Sequence, residues 1–414
     1  MQQQILANID HPEQLERLYR ENRTAFTASF NVVFPQINTH PLALAWHARL
    51  NYKEDGLSWG SIRERWIVAI LCLLAGALAK LPQFTGISEE FFYPRNITFV
   101  LFPFLVGYFL FKRGAVFNDA IKAGLVILVS SVYINLLPGD EKHDTFILAC
   151  VHLPFVLWSV TAFAFSIPDW KDHRVRLDFL RFNGDLVVMT ALILLAGGIL
   201  TAITLGLFSL IGLNIEEFYF KYIVVWGLAS APIVATHLVQ VMPQLVERVS
   251  PVIARVFTPL VVVMLSIYLI AVLTTGKDPY NDREFLLMFN GLLIGVMAII
   301  LFSVAGTANS NLSRIGYAML LVLSLLTLTV NGIALSAILF RISEWGITPN
   351  RMAVLGGNVV IMGNLMMVAW RLVAVMKRNR DPEDVGRCIA SYIPIYAAWA
   401  AIVAFLFPVL FGFC

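Results

Sequence analysis

The sequence is poor in charge: only 14% of its 414 residues are Asp, Glu, Lys or Arg, while 58% are hydrophobic. Soluble domains carry roughly 25% charged residues. At a mean hydropathy of +0.76, a chain folded in water would have nowhere to hide its apolar surface. Other absences narrow the reading further. Cys72, Cys150, Cys388 and Cys414 have no CxxC spacing, so no zinc site or disulfide framework is expected. No HExxH or HxxxH spacing is present, and neither a metal nor another cofactor is expected. A net charge of +3 without a continuous basic stripe argues against nucleic acid as a partner. The first residues, MQQQILANIDHPEQL, have no basic n-region followed by an apolar core, so a cleavable signal peptide is not expected. No internal repeat is visible.

What the sequence has is a recurrence of long apolar runs. A bilayer core of about 30 Å takes about 20 apolar residues per helix. With that window eleven spans are predicted, near residues 66–83, 97–111, 119–138, 145–167, 185–212, 218–240, 252–275, 285–305, 315–340, 350–376 and 388–412. The second is short and contains Pro103. If the spans alternate from a cytoplasmic N-terminus, 22 of the Lys and Arg residues fall inside and 8 outside. Inner loops carry Lys112-Arg113, then Lys171, Arg174, Arg176 and Arg181, and later Lys377, Arg378, Arg380 and Arg387. Outer loops carry Glu89-Glu90, Asp140-Glu141, Glu216-Glu217, Asp278, Asp282 and Glu284. Because basic residues resist translocation, the expected fold is an all-α, polytopic membrane helix bundle of about eleven helices, N-terminus in and C-terminus out, with the lipid bilayer as its first partner.

Residues 1–64 read as a small cytoplasmic helical cap, and residues 65–414 as the membrane domain. Asp10 is placed to cap a helix with Pro12 in its first turn. Leu15, Leu18 and Tyr19 share one face, Phe26 and Phe30 continue it, and a helix opened by His40-Pro41 brings Leu42, Trp46 and Leu50 against the first. Ser61 lies at the entry to the first span. So few residues form a marginal core alone, which points to docking on the inner loops, on a second copy or on a cytoplasmic partner.

Polar residues in the spans are costly unless they turn inward. His152 lies two residues before Pro154, and His237 near the inner end of the sixth span after Pro232. Two imidazoles that converged would make a proton relay; isolated packing histidines are the simpler reading. Asn290, Asn331, Asn358 and Asn364 mark the eighth to tenth spans, and lipid satisfies none of their amides. Gly356-Gly357-Asn358 and Gly363-Asn364 give the tenth span a small and polar face, suited to close packing or to a lined pathway. Gly291 and Gly295 form one GxxxG, a weak packing signal. Prolines at Pro103, Pro154, Pro232, Pro259 and Pro394 are expected to interrupt five spans.

The densest outer polar segment joins the ninth and tenth spans. Arg341 and Glu344 are one helical turn apart and suited to pair. Gly346 is placed to end one helix, and Thr348 to cap the next with Pro349 in its first turn; Arg351 follows. This loop works as a rigid turn or as an anion-binding gate. The segment Arg341, Glu344, Gly346, Thr348, Asn350 and Arg351, with Trp345 and Ile347 at its aromatic and aliphatic positions, resembles the bacterial membrane-protein family designated domain of unknown function 4153. The resemblance implies a multi-pass protein of a bacterial inner membrane and brings no activity with it.

Three functions fit. A transporter or channel for a small solute or ion would line a path with His152, His237, Asn331, Asn358 and Asn364, gated from outside by Arg341, Glu344 and Arg351. A membrane enzyme acting on a lipid-linked substrate would use Glu89 and Glu90. A non-catalytic sensor or assembly subunit would act through its cytoplasmic cap.

Overall fold

The computed structural model describes residues 1–50, 59–139, 142–210, 213–245, 258–267, 293–300, 314–377 and 383–413, with residues 269–270, 291 and 303. Among them 87% are helical and there is no strand. The chain divides into two compact units, Met1–Ser58 and Trp59–Cys414.

The first unit is built from α1 (Gln2–Ala7), α2 (Pro12–Glu21), α3 (Arg23–Ile37) and α4 (Pro41–Leu50). Ile5, Leu15, Phe26, Phe30, Val33, Ala43 and Trp46 form its core, with Leu18, Tyr19, Leu42 and Leu50 packed around it, as the helical periodicity predicts. The cap differs from expectation. Pro12 occupies the first helical position, which makes His11 the N-cap, and Asp10 Oδ1 bonds His40 Nε2 at 2.9 Å instead. Asn22 caps α3 by accepting from Ala25 N at 3.0 Å. Glu16 ties α2 to α4: it accepts from Arg20 Nε and Arg49 Nη1, each at 2.8 Å, and these guanidiniums hold its carboxyl below the usual carboxylate range. Arg49 also stacks over Trp46, 4.6 Å from the ring centre.

Among its described residues the second unit contains eight helices long and apolar enough to cross a membrane. The first, Glu89–Lys112, is assembled from α7 (Glu89–Asn96), a 3-10 turn (Ile97–Val100) and α8 (Phe102–Lys112). Next come α9 (Phe117–Leu136), α10 (Asp144–Ser166) and α11 (His173–Leu210). Glu216–Val241 joins α12 (Glu216–Phe218), a π segment (Tyr219–Val224) and α13 (Val225–Val241). A short apolar helix, α14 (Thr258–Ile267), and helical residues 293–300 (α15) precede α16 (Arg314–Trp345) and α17 (Pro349–Met376). Asp384–Leu410 runs through α18 (Glu383–Ser391), α19 (Ile393–Ala401), a π segment (Ile402–Leu406) and α20 (Phe407–Leu410).

The eight correspond to the second to sixth and ninth to eleventh predicted spans. The first predicted span is α5 (Ile62–Ala79), followed by the short α6 (Leu81–Thr85). Arg63, Glu64 and Arg65 crowd the first turn of α5, and its apolar part from Trp66 is about 21 Å long at 1.5 Å per residue, short of a full bilayer core. Most of the predicted seventh and eighth spans lies outside the described residues. So do Asn290, Asp140, Glu141, Asp278, Asp282, Glu284, Arg378, Arg380 and Cys414.

Two of the prolines expected to interrupt their spans do so: Pro103 follows the 3-10 turn that separates α7 from α8, and Pro394 follows the break between α18 and α19. Pro154 and Pro232 lie inside the continuous helices α10 and α13, while Pro103 and Pro394 sit in the first turns of α8 and α19. Pro needs no intrahelical N–H partner in a first turn, and at Pro232 the Thr236 hydroxyl donates to the Pro232 carbonyl at 2.8 Å. α16 packs along α17, and α13 packs against both α5 and α11. One buried cluster gathers Leu320, Leu323, Val330, Leu365, Val368, Leu372 and Ile389 from α16, α17 and α18. Another joins Val68, Tyr108, Phe109, Phe165, Phe179, Phe182 and Ile233 from α5, α8, α10, α11 and α13.

Candidate functional site

The asparagines of α16 and α17 lie in a buried seam between these helices and α19. Asn331, Asn358 and Asn364 are all buried. Asn331 Nδ2 donates to the Asn358 carbonyl at 3.0 Å, and Asn364 Nδ2 donates to the Tyr396 hydroxyl of α19 at 2.9 Å. Small residues make this approach possible. A β-carbon on Gly356 would lie 2.0 Å from Trp399 Cη2, and one on Gly363 would lie 2.9 Å from the Tyr392 hydroxyl. The indole and the phenol therefore seat directly on the α17 backbone. The seam is not fully satisfied: Asn331 Oδ1, Asn364 Oδ1 and Trp399 Nε1 are buried and have no hydrogen-bond partner among the described residues. Each such atom costs about 1–3 kcal/mol, a cost that a polar solute or ion would offset by bonding to it.

The loop joining α16 and α17 is the predicted rigid turn. Gly346, at φ +77°, follows the last residue of α16, and its N–H bonds Ile342 O at 2.9 Å. The Thr348 hydroxyl accepts from Arg351 N at 3.3 Å, with Pro349 in the first turn of α17. Arg351 Nη1 donates to the Trp345 and Gly346 carbonyls at 2.9 and 2.6 Å, which satisfies the last carbonyl of α16 and that of the glycine after it. Arg341, whose spacing favoured Glu344, places its guanidinium 5.3 Å from the Trp345 ring centre, and Arg351 lies 5.7 Å from the same ring. Glu344 is exposed.

The two intramembrane histidines are separately engaged, and no hydrogen bond joins them, so the relay from one imidazole to the other is not formed. On α10, His152 Nδ1 donates to Leu148 O at 2.8 Å, since a carbonyl only accepts. On α13, His237 belongs to a network that brings together the start of α5 and the end of α8. Its Nε2 donates to Trp59 O at 3.2 Å, and its Nδ1 faces the Tyr108 hydroxyl at 3.4 Å. With Nε2 protonated, Nδ1 is the acceptor of the Tyr108 proton.

Next to it, Ser61 and Glu64 form a capping box at the start of α5. Glu64 Oε2 accepts from Ser61 N at 2.9 Å and Oε1 pairs with Lys112 Nζ. Lying before the apolar part of α5, Glu64 is held below the usual carboxylate range chiefly by the Lys112 hydrogen bond, against the opposing effect of partial burial. Gly60, at φ +72°, fits between these groups: a β-carbon there would lie 2.6 Å from Glu64 Oε2 and 3.1 Å from His237 Cε1. Carboxylate and imidazole thus flank one α-carbon and stand within about 6 Å of each other.

Glu64 and Tyr108 were not singled out in the sequence, where Lys112 entered only as one of the loop basic residues. The signal for Glu64 was available in the Ser61-x-x-Glu64 capping-box spacing; Tyr108 carries none, being an ordinary residue of an apolar helix. Also missed was Arg95, buried in α7 between the Phe91 and Phe146 rings, at 4.1 and 4.3 Å from their centres, with Nη2 donating to Gly139 O at 2.7 Å. Beside it Asn96 and Asn135 exchange amide hydrogen bonds of 2.9 and 2.8 Å between α7 and α9. Glu89 and Glu90 occupy the exposed first turn of α7, and no group of three or more metal-binding side chains occurs among the described residues. No family model, curated protein or solved structure matches the chain.

Proposed function

We propose that this chain is a multi-pass carrier or channel for a small solute or ion, with its path along the seam where α17 meets α16 and α19. The observation that carries the reading is the set of buried polar atoms left without partners there: Asn331 Oδ1, Asn364 Oδ1 and Trp399 Nε1. Lipid offers them nothing, and a helix bundle built only for packing gains nothing by keeping them unsatisfied. The mix of two acceptors and one donor suits a small hydrated cation or a neutral polar solute. Arg341 and Arg351, gathered on Trp345, mark the outer end of the same helix pair.

The test is flux into proteoliposomes, followed by light scattering under gradients of sodium chloride, potassium phosphate and glycerol. At least one of these gradients is expected to relax faster than in protein-free vesicles. The double variant Asn331→Leu, Asn364→Leu should slow that relaxation about tenfold or more, since each lost polar contact costs about 1–3 kcal/mol. Relaxation identical in the variant and the native chain would remove the seam as the path, and no flux above protein-free vesicles would remove transport itself.

The same proposal takes the count as eleven spans, N-terminus in and C-terminus out, in a bacterial inner membrane, in keeping with the resemblance carried by Arg341 to Arg351. The 22 to 8 distribution of Lys and Arg supports it. A phosphatase reporter fused after Cys414 is expected to be active, as an outer location requires. An inactive phosphatase in a normally expressed fusion would rule out an odd span number.

A further inference from the structure

We infer that His237 is a proton-binding site at the inner end of the bundle, taking its proton on Nδ1 with Glu64 as the counter-charge, so that the proton is the ion coupled to transport. The inference rests on the transport reading only for the word coupled; the site itself stands on geometry. His237 is held at both ring nitrogens, by Trp59 O and by the Tyr108 hydroxyl, so its ring cannot turn away when its charge changes. The one nitrogen free to take a proton is Nδ1, because Nε2 already carries the proton given to Trp59 O.

A proton from cytoplasmic water added to Nδ1 converts imidazole to imidazolium and breaks no covalent bond. The Tyr108 hydroxyl, a donor before, rotates its hydrogen aside and accepts from the new N–H. The bond to Trp59 O persists, and the added positive charge appears within about 6 Å of the Glu64 carboxylate. Glu64 then divides its attraction between Lys112 and His237. Since Lys112 ends α8, Glu64 begins α5 and His237 lies on α13, protonation shifts the balance of forces among three helices at once.

Titratable and charged groups are carried by the helices packed on α13. α5 contributes Glu64, with Arg63 and Arg65 exposed on the same turn. α8 contributes Tyr108 and Lys112. α11 carries Asp178, Arg181 and Asp185 on its inner turns, and there Arg181 Nη1 donates to Asp178 Oδ1 at 2.6 Å. The side chains of Lys112 and Glu64 remain 28% and 14% exposed, which gives water a way to a histidine that is itself only 5% exposed.

The measurement is 15N-histidine NMR of the full chain in lipid nanodiscs across pH, the His237 signal being identified by its loss in His237→Gln. At high pH the native signal should report a ring protonated on Nε2 alone, and on acidification it should move to the imidazolium position. Glu64→Gln keeps the capping box, because Gln serves at that position as Glu does, and should shift the transition to lower pH. Lys112→Met removes the competing cation and should shift it upward. A signal that stays neutral throughout, or opposite variants that leave the transition in place, would overturn the site. If the shifts occur but vesicles show no flux, the proton site stands and the transport reading fails; flux without any His237 transition leaves transport and removes the proton as its partner.

Discussion

Gly356→Ala should be among the most destabilising single-methyl changes the chain can receive. The new β-carbon would meet Trp399 Cη2 at 2.0 Å, where carbon atoms normally rest about 3.5–4.0 Å apart. Neither side yields easily, since the indole lies against Phe407, with ring centres 6.0 Å apart, and the glycine is part of a continuous helix. Relief requires α17 and α19 to separate by about 1.5 Å along their contact, and overpacking of this kind costs about 1–3 kcal/mol or more. Thermal unfolding in nanodiscs should begin several degrees lower, and Trp399→Leu placed in the same chain should recover most of the loss. Gly76→Ala, which meets Trp226 Cε3 at 2.4 Å, should behave likewise, whereas Gly124→Ala has no atom within 4 Å and should be silent. Equal stability of the Gly356 and Gly124 variants would mean that the two helices are not in direct contact.

Gly60→Ala is expected to loosen the inner network by two additive routes. Its φ of +72° costs a residue with a β-carbon about 1–2 kcal/mol. The methyl also falls 2.6 Å from Glu64 Oε2, an atom already fixed by Ser61 N. Together these should destabilise the start of α5 by about 2–4 kcal/mol, read as faster hydrogen exchange of the amides just after Ser61. Gly60→Asn separates the routes, because Asn tolerates the left-handed region while still presenting a β-carbon; its smaller loss would measure the clash alone. Exchange unchanged in both variants would show that Gly60 does not sit between Glu64 and His237.

What could be read from the sequence was local or periodic. Gly346, Thr348 and Pro349 state their turn within a few residues, and Leu15, Tyr19, Phe26 and Trp46 declare their face by helical spacing. The asparagines of α16 and α17 were legible because lipid leaves a buried amide no partner. What escaped depends on contacts between distant segments. His237 meets a tyrosine 129 residues earlier and Glu64 meets a lysine 48 residues later, and nothing in either neighbourhood names its partner. Asp10 was misread as a cap because its alternative, His40, lies 30 residues away. Arg95 counted in the sequence as an outer basic residue, yet it is buried among aromatic rings, a fate that charge counting does not distinguish from exposure. The prolines were legible in part: Pro103 and Pro394 stand where their spans break, whereas α10 and α13 run on through Pro154 and Pro232, because packing against neighbouring helices holds them.

The turn between α16 and α17 also ties these two helices more firmly to each other than to their neighbours. Arg351 bonds the last carbonyl of α16 and that of Gly346, Thr348 caps α17, and the Asn331 to Asn358 bond ties the two helices near their middles. Fastened at the end and the centre, the pair behaves as one stiff lever. Under the transport proposal, alternation of access along the seam is expected on its opposite side, against α19, where Tyr392 and Trp399 rest on bare backbone and a π segment, Ile402–Leu406, adjoins.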